Sequence, residues 1–115
     1  MDLGTTAGEV SGRWEALAGA ARYDAKELAK LCGLSVRQLE RNFRRRFARS
    51  PQDWLNEQRI AAARRLLLSG QLVKVVAFEL GFKQPSHFCR HFKEYCRLTP
   101  SRFVELNAAK DVAIR

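Results

Sequence analysis

No stretch of this chain approaches the about 18 consecutive apolar residues of a membrane span, and Met1 to Gly12 lack the apolar core of a secretion signal. Both absences lead to the expectation of a soluble, unsecreted, cytoplasmic protein. Cysteine is scarce: Cys32, Cys89 and Cys96 form no C-x-x-C pair and leave an odd one, the usage of reduced thiols rather than of a disulfide framework. Strand-period alternation of useful length is missing, which predicts an all-α fold. Length is short as well. At 115 residues the chain has room for one domain and one modest core, and a second, ligand-sensing domain does not fit. Acidic residues are outnumbered, 12 Asp and Glu against 21 Lys and Arg, for a net charge of +9.

What is present is equally uneven. With 46% hydrophobic residues the chain has the means to fold, and a foldable chain this basic expects a polyanionic partner. Residues 37–49 hold six arginines (37, 41, 44, 45, 46 and 49) against the single Glu40, so the charge is concentrated rather than spread. A solvated cationic face is the bland alternative.

The chain also contains an internal duplication. Leu28, Ala29, Gly33, Leu39, Arg41, Phe43, Pro51 and Trp54 are matched by Val76, Ala77, Gly81, Phe88, Arg90, Phe92, Pro100 and Phe103. Gly81 follows Gly33 by 48 residues and Arg90 follows Arg41 by 49, which places one extra residue in the second turn. A helix, a short glycine turn and a second helix is the plan of a helix-turn-helix unit, whose second helix lies in the DNA major groove.

Local signals place the elements. Residues 1–11 read as a flexible tail, and Ser11 as the cap of a first helix carrying Trp14, Leu17, Ala18 and Ala21. Asp24 with Glu27 makes a capping box and Tyr23 with Leu28 a hydrophobic staple, opening a helix that stops at Gly33. The first unit is thus 24–47. Ser35 caps a helix over 36–47, with Leu39, Phe43 and Phe47 inward and Arg37, Arg41, Arg44 and Arg45 outward. Arg46 falls near the apolar stripe, where it is expected to snorkel or pair with a carboxylate. Ser50, Pro51 and Asp53 start a linker helix over 51–68, roughly 25 Å long at about 1.5 Å per residue. The second unit, 73–96, opens on the poor cap Leu72, and its second helix begins at Pro85 with Gln84 as a mediocre cap. There Phe88, Phe92, Tyr95 and Cys96 are expected inward, and Ser86, Arg90, Lys93 and Glu94 outward, with His87 and Cys89 flanking. Thr99 and Pro100 open a final helix, the domain closes near 108, and 109–115 reads as a second tail.

Gly-Phe-Lys-Gln-Pro-Ser-His-Phe-Cys-Arg-His-Phe-Lys from Gly81 and Leu-Thr-Pro-Ser-Arg-Phe from Leu98 resemble the signature of the AraC/XylS family of bacterial transcription regulators. The likeness extends back through Arg59, Ile60, Ala63, Arg64, Leu66 and Leu67, and through Leu28, Ala29, Gly33, Ser35 and Leu39, covering about 22–106. It implies a homeodomain-like, all-α domain of about seven helices, two helix-turn-helix units joined by a long helix, reading two adjacent major grooves as a monomer. Carried over by position, Arg37, Glu40 and Arg41 serve the first groove, and Ser86, His87, Cys89 and Arg90 the second. Gln38 is counted among the DNA-binding residues. Arg41 and Arg90 stand at equivalent places, where an arginine bonds guanine O6 and N7 or grips phosphate. Arg37, Arg44, Arg45 and Lys93 read as phosphate contacts. Glu40 either accepts from a cytosine amino group or orients a neighbouring arginine. The partners implied are double-stranded DNA and RNA polymerase, with no membrane and no cofactor, and the role implied is activation of transcription. Ala48 and Arg97 depart from the family's usual glycine, and Cys96 from its usual aromatic. The missing sensor implies either a stand-alone member or the DNA-binding part of a larger regulator.

The same residues admit other readings. His87 and His91 stand at i and i+4 but without a third ligand at metal spacing, so they read as one groove-facing and one surface histidine. Cys32 and Cys96 read as core hydrophobes and Cys89 as the one accessible thiol, in an electropositive setting that would lower its pKa. No cysteine has the base and orienter of a nucleophile, which argues against an enzyme. A protein-interaction module descended from a DNA reader should have lost its arginines, and both copies keep theirs.

Overall fold

The computed structural model describes the backbone of residues 7–114 and the side chains of 13–108. Seven helices and no strand occupy the described residues: α1 (Ala7–Ala20), α2 (Ala25–Cys32), α3 (Val36–Phe47), α4 (Pro51–Leu68), α5 (Val73–Glu79), α6 (Pro85–Cys96) and α7 (Pro100–Ile114). Packing divides the chain after Arg59, within α4, into two units.

The first unit is built on a cluster of Trp14, Ala18, Ala21, Leu28, Ala29, Leu39, Phe43 and Leu55, all buried. Trp14 is its centre. Its indole meets Phe43 edge-on at 5.2 Å between centroids and Trp54 at 6.3 Å, the offset geometries that aromatic quadrupoles prefer. Tyr23 packs against the same cluster. The corner between α1 and α2 is made by Arg22 and Tyr23, both left-handed (φ 54° and 60°). Gln52 of α4 ties that corner down: its Oε1 accepts from Ala25 N–H and its Nε2 donates to Tyr23 C=O, each at 3.0 Å. The Arg59 guanidinium lies 5.9 Å from the Tyr23 ring centroid, and burial lowers its pKa.

In the second unit Ile60, Ala62, Ala63, Leu67, Val76, Ala77, Leu80, Phe88 and Phe92 are buried, with Pro100 at the start of α7. α6 packs on both α5 and α7. Phe92 stacks edge-on against Phe103 at 5.5 Å.

The duplication repeats at the level of single hydrogen bonds. Leu34 N–H donates to Ala29 C=O and Phe82 N–H to Ala77 C=O, both at 2.9 Å, the closing bond of a glycine-terminated helix. Gly33 and Gly81 supply the left-handed residue at φ 68° and 85°. After those turns α3 begins with Ser35 as its cap and α6 with Gln84, one residue later in the repeat. Both then end alike. Ala48 N–H bonds Arg44 C=O and Arg97 N–H bonds Lys93 C=O, with Ala48 at φ 55° and Arg97 at φ 65°. Both reversals are therefore made without glycine, in the left-handed conformation.

Several boundaries differ from expectation. α1 starts at Ala7, so Ser11 lies inside a helix instead of capping one, and 7–11 is helical; residues 1–6 of the expected tail lie outside the described residues. α7 runs to Ile114, so 109–114 is helix rather than tail. Asp24 accepts from Glu27 N–H, but Glu27 turns to Lys30 at 3.3 Å instead of closing the box. Tyr95 is 40% exposed and Phe47 36%, at the margins of their stripes rather than inside.

Candidate nucleic-acid interface

Each unit presents one helix with a divided surface. In α3 the buried residues Leu39 and Phe43 fix one side. Arg37, Gln38, Glu40, Arg41, Arg44 and Arg45 are exposed on the rest. In α6 Phe88 and Phe92 fix the inner side, while Ser86, His87, Arg90 and Lys93 are exposed. At about 100° per residue, Arg41 and Arg90 each project directly away from their phenylalanines. They occupy the same place in both copies.

Among the described residues Arg37, Arg41, Arg44, Arg45 and Arg90 make no ion pair, whereas Arg49 is paired with Glu57 and Arg102 with Glu105 at 3.1 Å. Glu40 makes no ion pair either among the described residues. Arg46, expected near the stripe, is exposed.

Cys89 departs from its expected setting. It is half-buried, as Cys32 and Cys96 are, and burial raises its pKa instead of a positive field lowering it. Burial raises Cys32 in the same direction. Among the described residues no group of three or more His, Cys, Asp or Glu is gathered to hold a metal ion. His91 is not on the surface as expected but half-buried, its ring between Phe82 at 5.7 Å and Tyr95 at 5.0 Å.

Two features escaped sequence reasoning. Ser35 and Gln38 form a reciprocal capping box, Ser35 N–H to Oε1 at 2.9 Å and Gln38 N–H to Oγ at 3.1 Å, which the S-x-x-Q spacing signals. Glu94 lines a shallow depression with Phe82, His87, Arg90 and His91, bringing a carboxylate beside the second outward arginine.

Residues 28–105, about two thirds of the chain, match a family model described as a helix-turn-helix domain. The chain belongs to the AraC-type helix-turn-helix family. An uncharacterised HTH-type transcriptional regulator of Haemophilus influenzae is 35% identical over 82 residues, 70% of this chain and 28% of that protein. The virulence regulon transcriptional activator VirF of Yersinia enterocolitica is 31% identical over 81 residues, again 70% of this chain and 30% of the relative. This AraC-type chain therefore spans about three tenths of the length of these relatives. Among solved structures, the DNA-binding domain of the global transcriptional factor AdpA, in complex with a target DNA, superposes with a TM-score of 0.72 at 29% identity, covering 83% of this chain and 89% of that one. No described helix is long and apolar enough to cross a membrane.

Proposed function

We propose that this chain is a sequence-specific DNA-binding module of a transcription regulator, reading two adjacent major-groove segments as a monomer, one with α3 and one with α6. The observation that carries the proposal is the matched pair of outward arginines. Arg41 and Arg90 stand at equivalent positions, project away from buried phenylalanines and make no ion pair among the described residues. The DNA-bound AdpA domain supports the partner, double-stranded DNA. VirF, an activator by name, supports activation over repression, with RNA polymerase as a second partner. The site of action is the cytoplasm, and no catalysis is involved.

The outward faces divide by role. Arg41, Arg90, Glu40, Ser86 and His87 address base edges, while Arg37, Arg44, Arg45 and Lys93 address phosphates. Cys89, half-buried, offers packing against a thymine methyl. The greater length of the relatives favours a second reading of control, in which the same module is the DNA-binding part of a longer effector-responsive regulator.

Selection of bound sequences from a random duplex pool tests the proposal. The expected product is an asymmetric site in two segments about 10 base pairs apart. A palindrome would overturn the monomer reading, and the absence of any enrichment would overturn DNA reading altogether.

A further inference from the structure

Gln38 lies on the outward side of α3, yet half of its amide is already committed. Ser35 N–H donates to its Oε1 at 2.9 Å, while its own N–H donates to Ser35 Oγ at 3.1 Å. A backbone N–H has nothing to accept with, so the carbonyl oxygen of the amide must face Ser35. What remains for a partner is both donors of Nε2, with one lone pair of an oxygen already held against Ser35, on an exposed residue in the first turn. A free glutamine selects adenine by donating to N7 and accepting from N6 together. Gln38, its oxygen held at 2.9 Å from Ser35 N, is not free to turn both groups onto one base.

A phosphate offers only acceptors, which is the complement of the two unused Nε2 donors. Position points the same way. Gln38 and Arg45, seven residues apart, lie about 20° from one another around the helix axis, on one flank of the arginine face. Arg37 and Arg44 lie on the opposite flank, with Arg41 between. We infer that the Ser35–Gln38 lock makes Gln38 a fixed grip that donates from Nε2 to a DNA phosphate beside Arg45, setting how α3 lies in its groove without reading a base. This assignment rests on the DNA-binding function proposed above.

The test uses the full chain and the duplex returned by selection. Single phosphates across the first half of that duplex are replaced by neutral methylphosphonates, and affinity is measured for the unaltered chain, Gln38→Ala and Gln38→Glu. The expected result is one linkage whose neutralisation weakens the unaltered chain about three- to tenfold and Gln38→Ala less than about twofold. Base preferences should be the same for both proteins. Gln38→Glu keeps the reciprocal cap, because a carboxylate oxygen also accepts from Ser35 N–H, and should keep its melting temperature. It turns an acceptor toward phosphate and should bind every sequence more weakly than Gln38→Ala does. A changed base preference in Gln38→Ala, or a methylphosphonate pattern identical to that of the unaltered chain, overturns the phosphate grip while leaving DNA binding intact. If selection enriches nothing, the DNA-binding function fails and the grip with it.

Discussion

Ala48 and Arg97 hold left-handed backbone at φ 55° and 65°, where an L side chain costs about 1 to 2 kcal/mol. Glycine relieves that strain but gives back about 0.4 to 1 kcal/mol through a freer unfolded chain. Ala48→Gly should therefore stabilise by about 0.5 to 1 kcal/mol, read as a rise in the urea midpoint at unchanged slope. Gly33→Ala is the mirror experiment. No atom lies within 4 Å of the added Cβ, so its loss of about 1 kcal/mol would be backbone strain alone. The arginines make a second contrast at this scale. Arg90→Ala should cost about 1 to 3 kcal/mol on the selected site and relax preference at one base pair, whereas Arg45→Ala should weaken specific and random duplex alike. Competition binding against both duplexes separates them, and equal losses for Arg90→Ala would remove its base-reading role.

Helices here begin and end where their own residues say so, with a few instructive exceptions. α3 and α4 have the expected bounds because Ser35, Ser50, Pro51 and the glycine at 33 are local signals, and Asp53 N–H indeed donates to Ser50 Oγ at 3.2 Å. α1 was illegible at its start because Ser11 has the chemistry of a cap, and nothing local says that the helix begins four residues earlier. Helical wheels fixed the outward exposure of α3 and α6 but not the margins, where Phe47 and Tyr95 depend on neighbouring helices for cover. The Gln52 tie had no signal at all, since its partners are 27 and 29 residues away. Its worth can be measured. Gln52→Ala leaves Ala25 N–H and Tyr23 C=O without that partner in a partly buried corner and should destabilise by about 1 to 3 kcal/mol in urea unfolding. A change within about 0.3 kcal/mol would mean that solvent replaces the tie.

Across the whole molecule the two copies share a plan but not a charge. The first recognition helix α3 carries five arginines, and α6 carries one arginine, one lysine and two histidines. Grip is expected from the first copy and discrimination from the second. Four phosphate contacts from Arg37, Arg44, Arg45 and Lys93 imply a slope of about −3.6 in log affinity against log salt, or about a hundredfold loss between 50 and 200 mM. A titration by fluorescence anisotropy on the selected duplex measures it. A slope shallower than about −2 would contradict the charge assignment. A net charge of +9 alone predicts attraction to any polyanion, so the base-pair preferences carry the claim of specificity.

The matching ends of the two recognition helices have a consequence for engineering. From cap to left-handed residue, 35–48 and 84–97 are segments of equal length, each with a buried pair four residues apart, Leu39 and Phe43 or Phe88 and Phe92, and its terminal bond closing on the same turn. The extra residue of the second copy lies before its segment, outside the part that faces a partner. The two outward faces therefore sit on equal frames, while the inward residues differ, Phe43 meeting Trp14 and Trp54 and Phe92 meeting Phe103. A chain with only its outward residues exchanged, Leu39, Phe43, Phe88 and Phe92 left in place, would keep both cores and move the arginine-rich face from the first copy to the second.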